Sequence, residues 1–301
     1  MYKLYKQLRE EGYTHKKVSG MINKSKRQKY RYLSDYNEEK GITKESKQKT
    51  VIYNNRLEYQ YKPQYKYSWQ VDPNTIPDSE KIVLFITDEH LPFSKEEWLE
   101  WVVQIAIKYG VNVIVHGGDL TDQHANSFHD NEPDALGAEA EFELAYDMVQ
   151  KRARVFPYVY FCESNHDKIP ERKAAKMGLS SRYLKSFNEL FNLPDTWIMK
   201  SYHIVNGVRY EHGHKSKGGV HGAFNTAINN RMSTCVGHYH GNFGIKYQNN
   251  GNSKIFGLAG GTLMDNEAYA FRYGEGAANK PIVGVSIIYN DQFAITIPYN
   301  K

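Results

Sequence analysis

From Lys81 onward the chain alternates short apolar runs with longer amphipathic ones. The segment "KIVLFIT" (81–87) is continuously apolar from Ile82 to Ile86 and reads as a strand buried on both faces. "SKEEWLEWVVQIAIKYG" (94–110) has helical periodicity, with Ser94 and Glu97 as a capping box and Gly110 as the stop. "VNVIVHG" (111–117) is a second strand, "DALGAEAEFELAYDMVQKRAR" (134–154) a long helix, and "YVYFCE" (158–163) a third strand. Further on, Asn206-Gly207 in "SYHIVNGVRYEHGH" is a hairpin turn, and "PIVGVSIIYNDQFAITIPY" (281–299) closes the chain as a strand pair. Alternating β and α units followed by hairpins predict an α/β fold, a two-sheet β-sandwich flanked by helices.

The first 80 residues follow another pattern. "YKLYKQLREEG", "THKKVSGMI" and "SKRQKYRYLSDY" read as short helices, with Gly12 ending the first, Thr14 capping the second and Ser25 capping the third. Their spacing resembles a helix-turn-helix unit, in which the last helix enters the DNA major groove. That resemblance makes Lys26, Arg27, Lys29 and Arg31 the expected DNA contacts, against a solvated basic arm as the plain alternative. Residues 37–79 read as a linker followed by a Tyr-rich strap, either an edge strand or an extended segment packed on the main domain. The expected organisation is a small N-terminal helical unit (1–36), the linker and strap (37–79), and the main domain (80–301).

Charge sharpens this division. Residues 1–50 hold 14 Lys and Arg against 6 Asp and Glu, whereas the whole chain is only +5, so the remainder is net acidic. An anionic partner, DNA above all, is therefore expected for the N-terminal end alone. No apolar run approaches the roughly 18 residues of a membrane helix, and the N-terminus lacks the apolar stretch of a secretion signal. With Cys162 and Cys235 the only cysteines, a cytoplasmic protein without disulfides or membrane contact is expected.

Candidate chemistry collects where the predicted strands end. "TDEH" supplies Asp88 and His90, "HGGDLTD" supplies Asp119, "SNHD" supplies Asn165 and His166, "EHGH" supplies His212 and His214, and "GHYH" supplies His238 and His240. In open α/β sheets ligands bind beyond the carboxyl ends of strands, so residues distant in sequence can converge there. The five blocks in this order resemble the calcineurin-like metallophosphoesterase superfamily, whose series is Asp-x-His, Gly-Asp, Gly-Asn-His-Asp/Glu, His and Gly-His-x-His. Ser164 stands where the family usually has Gly.

The resemblance implies the metallophosphoesterase fold and two divalent transition-metal ions. One would be held by Asp88, His90 and His240, the other by Asn165, His212 and His238, with Asp119 bridging. The mixed N/O donor set suits manganese first, with iron, zinc or nickel as alternatives. His166 would protonate the leaving group and Asp122 would orient it. Gln123 occupies the position of the arginine that clamps phosphate in the Ser/Thr protein phosphatases of the superfamily, which favours diesters. His214 is expected to support His212, while His124 and His129 are candidates for contacting phosphate or for ordinary solvated loop positions. The implied activity is hydrolysis of phosphate esters on nucleic acid, as a nuclease or phosphodiesterase, and the combination with a helix-turn-helix-like arm resembles phage-type enzymes acting in the host cytoplasm. Hydrolysis of small or cyclic nucleotides is the alternative enzyme, and a binding module of low turnover the alternative from another class.

Overall fold

The computed structural model describes residues 2–10, 18, 32, 67–128, 135–216, 218–268, 270–271 and 280–300. The chain divides into two compact units, Met1–Tyr65 and Lys66–Lys301. In the first, helix α1 (Tyr2–Glu10) buries Tyr5. Val18 and Tyr32 are also helical and buried, and the rings of Tyr2, Tyr5 and Tyr32 lie 5.6–6.5 Å apart, a small aromatic core. The caps Gly12, Thr14 and Ser25, and the basic residues Lys26, Arg27, Lys29 and Arg31, lie outside the described residues.

The second unit is a two-layer sandwich. β1 (Val83–Ile86), β2 (Val113–His116), β3 (Val159–Cys162) and β4 (Trp197–Lys200) run parallel, and β10 (Gly284–Asn290) with β11 (Phe293–Pro298) completes the sheet in the order β11-β10-β1-β2-β3-β4. The other sheet has the order β5-β6-β7-β9-β8, from β5 (Tyr202–Val205), β6 (Val208–Glu211), β7 (Thr234–Val236), β8 (Phe243–Asn249) and β9 (Lys254–Gly260). The Asn206-Gly207 turn joins β5 to β6 with both residues at positive φ, +49° and +74°, as a tight hairpin requires.

The period-2 rule explains how the first sheet serves two cores. Val83 and Phe85 of β1 face the other sheet and pack with Val113, Val115, Tyr210, Cys235 and Leu258, while Leu84 and Ile86 face outward. There they meet α2 (Glu96–Lys108) and α3 (Ala138–Val155) through Leu99, Val102, Ala145 and Val149. α4 (Ile169–Lys176) and the single turn α5 (Phe187–Leu190) follow β3. α6 (Gly222–Asn230) covers the second sheet so closely that a Cβ on Gly257 would lie 2.3 Å from the Phe224 Cα.

One local expectation is corrected and one pair of alternatives is decided. The capping box of Ser94 and Glu97 does not form: α2 begins at Glu96, Lys95 is its N-cap, and the buried Ser94 hydroxyl finds no hydrogen-bond partner. Residues 37–66 of the linker and strap lie outside the described residues, and from Tyr67 the strap takes the packed alternative and not the edge strand, as a series of 3₁₀ turns. It is anchored because Trp69 is buried in the outer core, stacks on Tyr67 at 4.5 Å and donates its indole N–H to the Val155 carbonyl. No helix among the described residues is long and apolar enough to cross a membrane.

Candidate metal centre

The residues singled out at strand ends all emerge past the carboxyl ends of parallel strands. Asp88 and His90 follow β1, Asp119 follows β2, Asn165 and His166 follow β3, His212 follows β6, and His238 and His240 follow β7. The β1 and β2 loops go on pairing beyond the sheet: Asp88 N–H bonds Gly118 O at 3.0 Å, His90 N–H bonds Asp119 O at 3.0 Å, and Leu91 N–H bonds Leu120 O at 2.8 Å. This keeps Asp88, His90 and Asp119 at φ of +55°, +51° and +51°, and His238 lies at +65°. Such strained backbone persists only where the surroundings over-determine it, and it clusters at functional sites.

Four of these side chains, Asp88, His90, Asp119 and His240, each place one ligand atom within 4.8 Å of the others, and Asp119, His212 and His238 do the same. Asp119 belongs to both groups. Its Oδ2 lies 3.1 Å from His212 Nε2 and 3.8 Å from His90 Nε2, while its Oδ1 accepts the His166 N–H at 3.0 Å. Asn165 joins the second group, its Oδ1 lying 2.9 Å from His212 Nε2. In the first group His240 Nε2 is 2.9 Å from Asp88 Oδ1 and 3.2 Å from His90 Nε2.

Acceptors on the far side of the rings set the tautomers. His90 Nδ1–H donates to Asp122 Oδ1 at 2.7 Å, and His212 Nδ1–H donates to the Gly117 carbonyl at 2.8 Å. In each case Nε2 turns to the shared space, the arrangement that orients imidazole as a metal ligand. Burial alone would raise the Asp88 carboxyl, but the imidazoles of His240 and His212 outweigh it and hold it at about 2. Asp119 is likewise held well below the carboxylate range against its burial, by His212 and His166. Burial would lower His212, yet the Asp119 carboxylate pushes it up to about 9. Two buried carboxylates that stay anionic require positive charge between them, and the mixed oxygen and imidazole donors fit divalent metal ions, whose binding displaces ring protons.

Several supporting roles differ from those read in the sequence. The Asp122 carboxylate bonds His90, not His166; the His166 ring is held by the Asp122 backbone carbonyl, 2.7 Å from Nδ1, with the carboxylate at 3.5 Å. His214 does not support His212 through a hydrogen bond. Gly117 does that, the two rings sit 5.4 Å apart, and the buried His214 Nδ1 has no hydrogen-bond partner among the described residues. His124 is no solvated loop residue: it is buried edge-on against Phe93, with its backbone N–H on Glu141. The Gln123 amide donates to the carbonyls of His166 and Asp167 at 3.2 and 3.4 Å. His129 lies outside the described residues, and Phe271 packs edge-on against His90.

Sequence reasoning missed the braces. Asp167 accepts the Thr121 N–H and hydroxyl at 2.9 Å, the Leu120 N–H at 3.2 Å and the Ser164 hydroxyl at 2.6 Å, tying the β3 loop to the β2 loop. Glu89, buried between two residues of the site, pairs with Arg152 of α3 at 2.9 Å. Their signal was present in "TDEH" and "SNHD", where an acid beside each candidate ligand had no assigned work.

Fold and site together define a metal-dependent hydrolase of phosphate esters. The profile of the calcineurin-like phosphoesterases matches residues 82–234, half of the chain, and the chain belongs to that family. Among solved structures it is similar to vacuolar protein sorting 29 from Cryptosporidium parvum (11% identity, 73% of this chain, 98% of that one, TM-score 0.38). It is also similar to a protein serine/threonine phosphatase from Saccharomyces cerevisiae (12%, 76% and 82%, TM-score 0.35) and to the phosphoesterase Yfce from E. coli (15%, 73% and 100%, TM-score 0.31). No curated protein matches the chain.

Proposed function

We propose that this protein is a two-metal phosphodiesterase acting on nucleic acid. The observation that carries the reading is a cleft of about 670 Å³ lined at once by Asn165, His166 and His238 and by Lys168, Arg172, Lys176 and Lys215. A run of cations beside the reacting centre suits a substrate whose negative charge continues past the scissile bond. Asp88, His90 and His240 would hold one ion, Asn165, His212 and His238 the other, and Asp119 both, with manganese preferred for this donor set. When bound, such ions neutralise charge on the phosphoryl oxygens and acidify a water.

The protein's own part is positional and acid–base. With its Nδ1–H on the Asp122 carbonyl, His166 keeps Nε2 for proton exchange, and it lines the cleft. Burial would lower its pKa, but Asp119 and Asp122 raise it, which favours a proton held for a departing alkoxide. The neutral Gln123 amide is engaged by backbone carbonyls, so the site carries less fixed charge there than a monoester dianion calls for. Action in the cytoplasm belongs to the same proposal, with Cys162 and Cys235 both buried as free thiols.

The test is to offer the metal-loaded protein linear DNA, 3′- and 5′-phosphorylated oligonucleotides, cyclic nucleotides and bis(p-nitrophenyl) phosphate. DNA and the small diester should be hydrolysed. Deleting residues 1–50 should weaken DNA binding and flatten its salt dependence, since each lost phosphate contact removes released counterions. The small diester should still turn over, because every candidate ligand lies beyond residue 80. Turnover of cyclic or mononucleotides with DNA left intact would shift the assignment to a small-nucleotide esterase.

A further inference from the structure

We infer that the wall of this cleft formed by Phe128 and α4 is a subsite for single-stranded nucleic acid, a base stacking on the Phe128 ring while Arg172 and Lys176 hold the flanking phosphates. The inference rests on the nucleic-acid reading and narrows it. Phe128 is 40% exposed and lines the cleft, so its ring is not part of a core. Three cations of α4 stand around it: Lys176 Nζ at 4.1 Å, Arg172 Cζ at 4.9 Å and Lys173 Nζ at 5.6 Å from the ring centroid.

Crowding three like charges on two turns of helix is unfavourable unless an anion joins them. Lys168 has one already, Glu163 at 2.7 Å, but among the described residues neither Lys173 nor Lys176 forms an ion pair with a carboxylate. Arg172 and Lys176 stand one turn apart on one face of α4, about 6 Å along its axis, and Lys168 is the N-cap residue of the same helix. Arg172 also donates to the Asn165 carbonyl at 3.1 Å, which ties this row to the loop carrying a candidate ligand.

An exposed aromatic among cations beside a hydrolytic centre matches the two demands of a single strand, a flat surface for a base and positive charge for its backbone. A duplex meets only the second, because its bases are stacked on one another and cannot reach a side chain without being extruded. A phosphopeptide also meets only the second, as it brings phosphate and no base.

The experiment compares kcat/KM of the full chain and of Phe128→Ala, Phe128→Tyr and Lys176→Gln on a single-stranded oligonucleotide and on the same sequence as a blunt duplex, across a range of salt. The parent should prefer the single strand. Phe128→Ala should lower its kcat/KM about 10-fold, the scale of one lost base–aromatic stack, with the salt slope unchanged, and Phe128→Tyr should keep the parent value. Lys176→Gln should instead reduce the salt slope by about 0.7, the share of one phosphate on a single strand; this arm stands even where Phe128→Ala fails to fold. Equal cleavage of duplex and single strand by the parent, a Phe128→Ala value equal to the parent's, or a phosphopeptide that competes as well as the oligonucleotide overturns the subsite while leaving the nucleic-acid reading intact. Failure of the parent on every nucleic acid, with the small diester still hydrolysed, overturns both.

Discussion

The two sheets bring their side chains to the centre by different means. The first sheet's contributions, Asp88, His90 and Asp119, sit on loops that remain hydrogen-bonded to each other after the strands end, so the backbone itself fixes them. Thr262 adds a hydroxyl to the Asp88 carbonyl at 2.6 Å, and Asp167 fastens the β3 loop alongside. The second sheet's loop after β7 has much less of this. His238 reaches the centre because its N–H donates to both Asp88 oxygens, at 2.9 and 3.1 Å, and His240 because its ring meets the same carboxylate. The β1 and β2 loops are thus held by their own backbone bonds, and the β7 loop is held to them by charge-assisted hydrogen bonds. Burial separates the same loops: Asp88, His90 and Asp119 of the β1 and β2 loops are inaccessible, whereas His238 and His240 of the β7 loop are half-buried at the cleft side.

The largest effect should come from the residue on which the sheets meet. Asp119→Asn keeps the shape but removes the charge that faces both His90 and His212. The expected outcome is loss of the metal pair, read by elemental analysis, with hydrolysis of any diester falling below detection. A variant that retains the parent's full metal content would show that Asp119 does not join the two groups.

A smaller and more selective loss is expected from His166→Asn. The bond from residue 166 to Asp119 is made by the backbone N–H, which the substitution keeps, so metal content should hold. Turnover of esters with poor leaving groups should fall roughly 100-fold or more, the scale of a missing general acid, while p-nitrophenyl esters, whose leaving group needs little protonation, should fall less. Equal losses on both substrate types would remove His166 from the proton-transfer role.

The same contrast explains what could be read without a structure. Asp88, His90, Asp119 and Asn165 were visible because each follows an apolar run, which is local information, and a parallel sheet must carry those ends to one edge, while His212, His238 and His240 were read from the order of motifs that resembles the metallophosphoesterases. The partners of the braces were not visible, because nothing in the spacing of Asp167, Glu89 or Arg152 says which far segment they meet. Asp122 shows the limit clearly: the resemblance put it on His166, and packing gave its carboxylate to His90. Ser94 and Glu97 fail for a related reason, since a capping signal is worth about 1 kcal/mol and yields when tertiary packing starts the helix elsewhere. β9 was hidden because Gly257 and Gly260, which read as turn residues, serve close approach of α6 and of β1.

Gly237 offers the finest test of how the second sheet is held. It stands between β7 and His238, where a Cβ would lie 2.0 Å from Thr87 Oγ1 and 2.5 Å from Asp88 Oδ2, two buried atoms with no room to retreat. Gly237→Ala should therefore push the β7 loop off the Asp88 carboxylate while the β1 and β2 loops, zipped by their own backbone bonds, stay in place. Only the side chains that depend on Asp88 should be misplaced, so the expected result is a weakening of metal affinity by about 10- to 100-fold, the range seen when groups that orient ligands are disturbed. Isothermal titration with manganese would measure it, and thermal melting in chelator would show whether the fold survives. An unchanged titration would mean that His238 and His240 are positioned without Asp88, and the two sheets would then be organised alike.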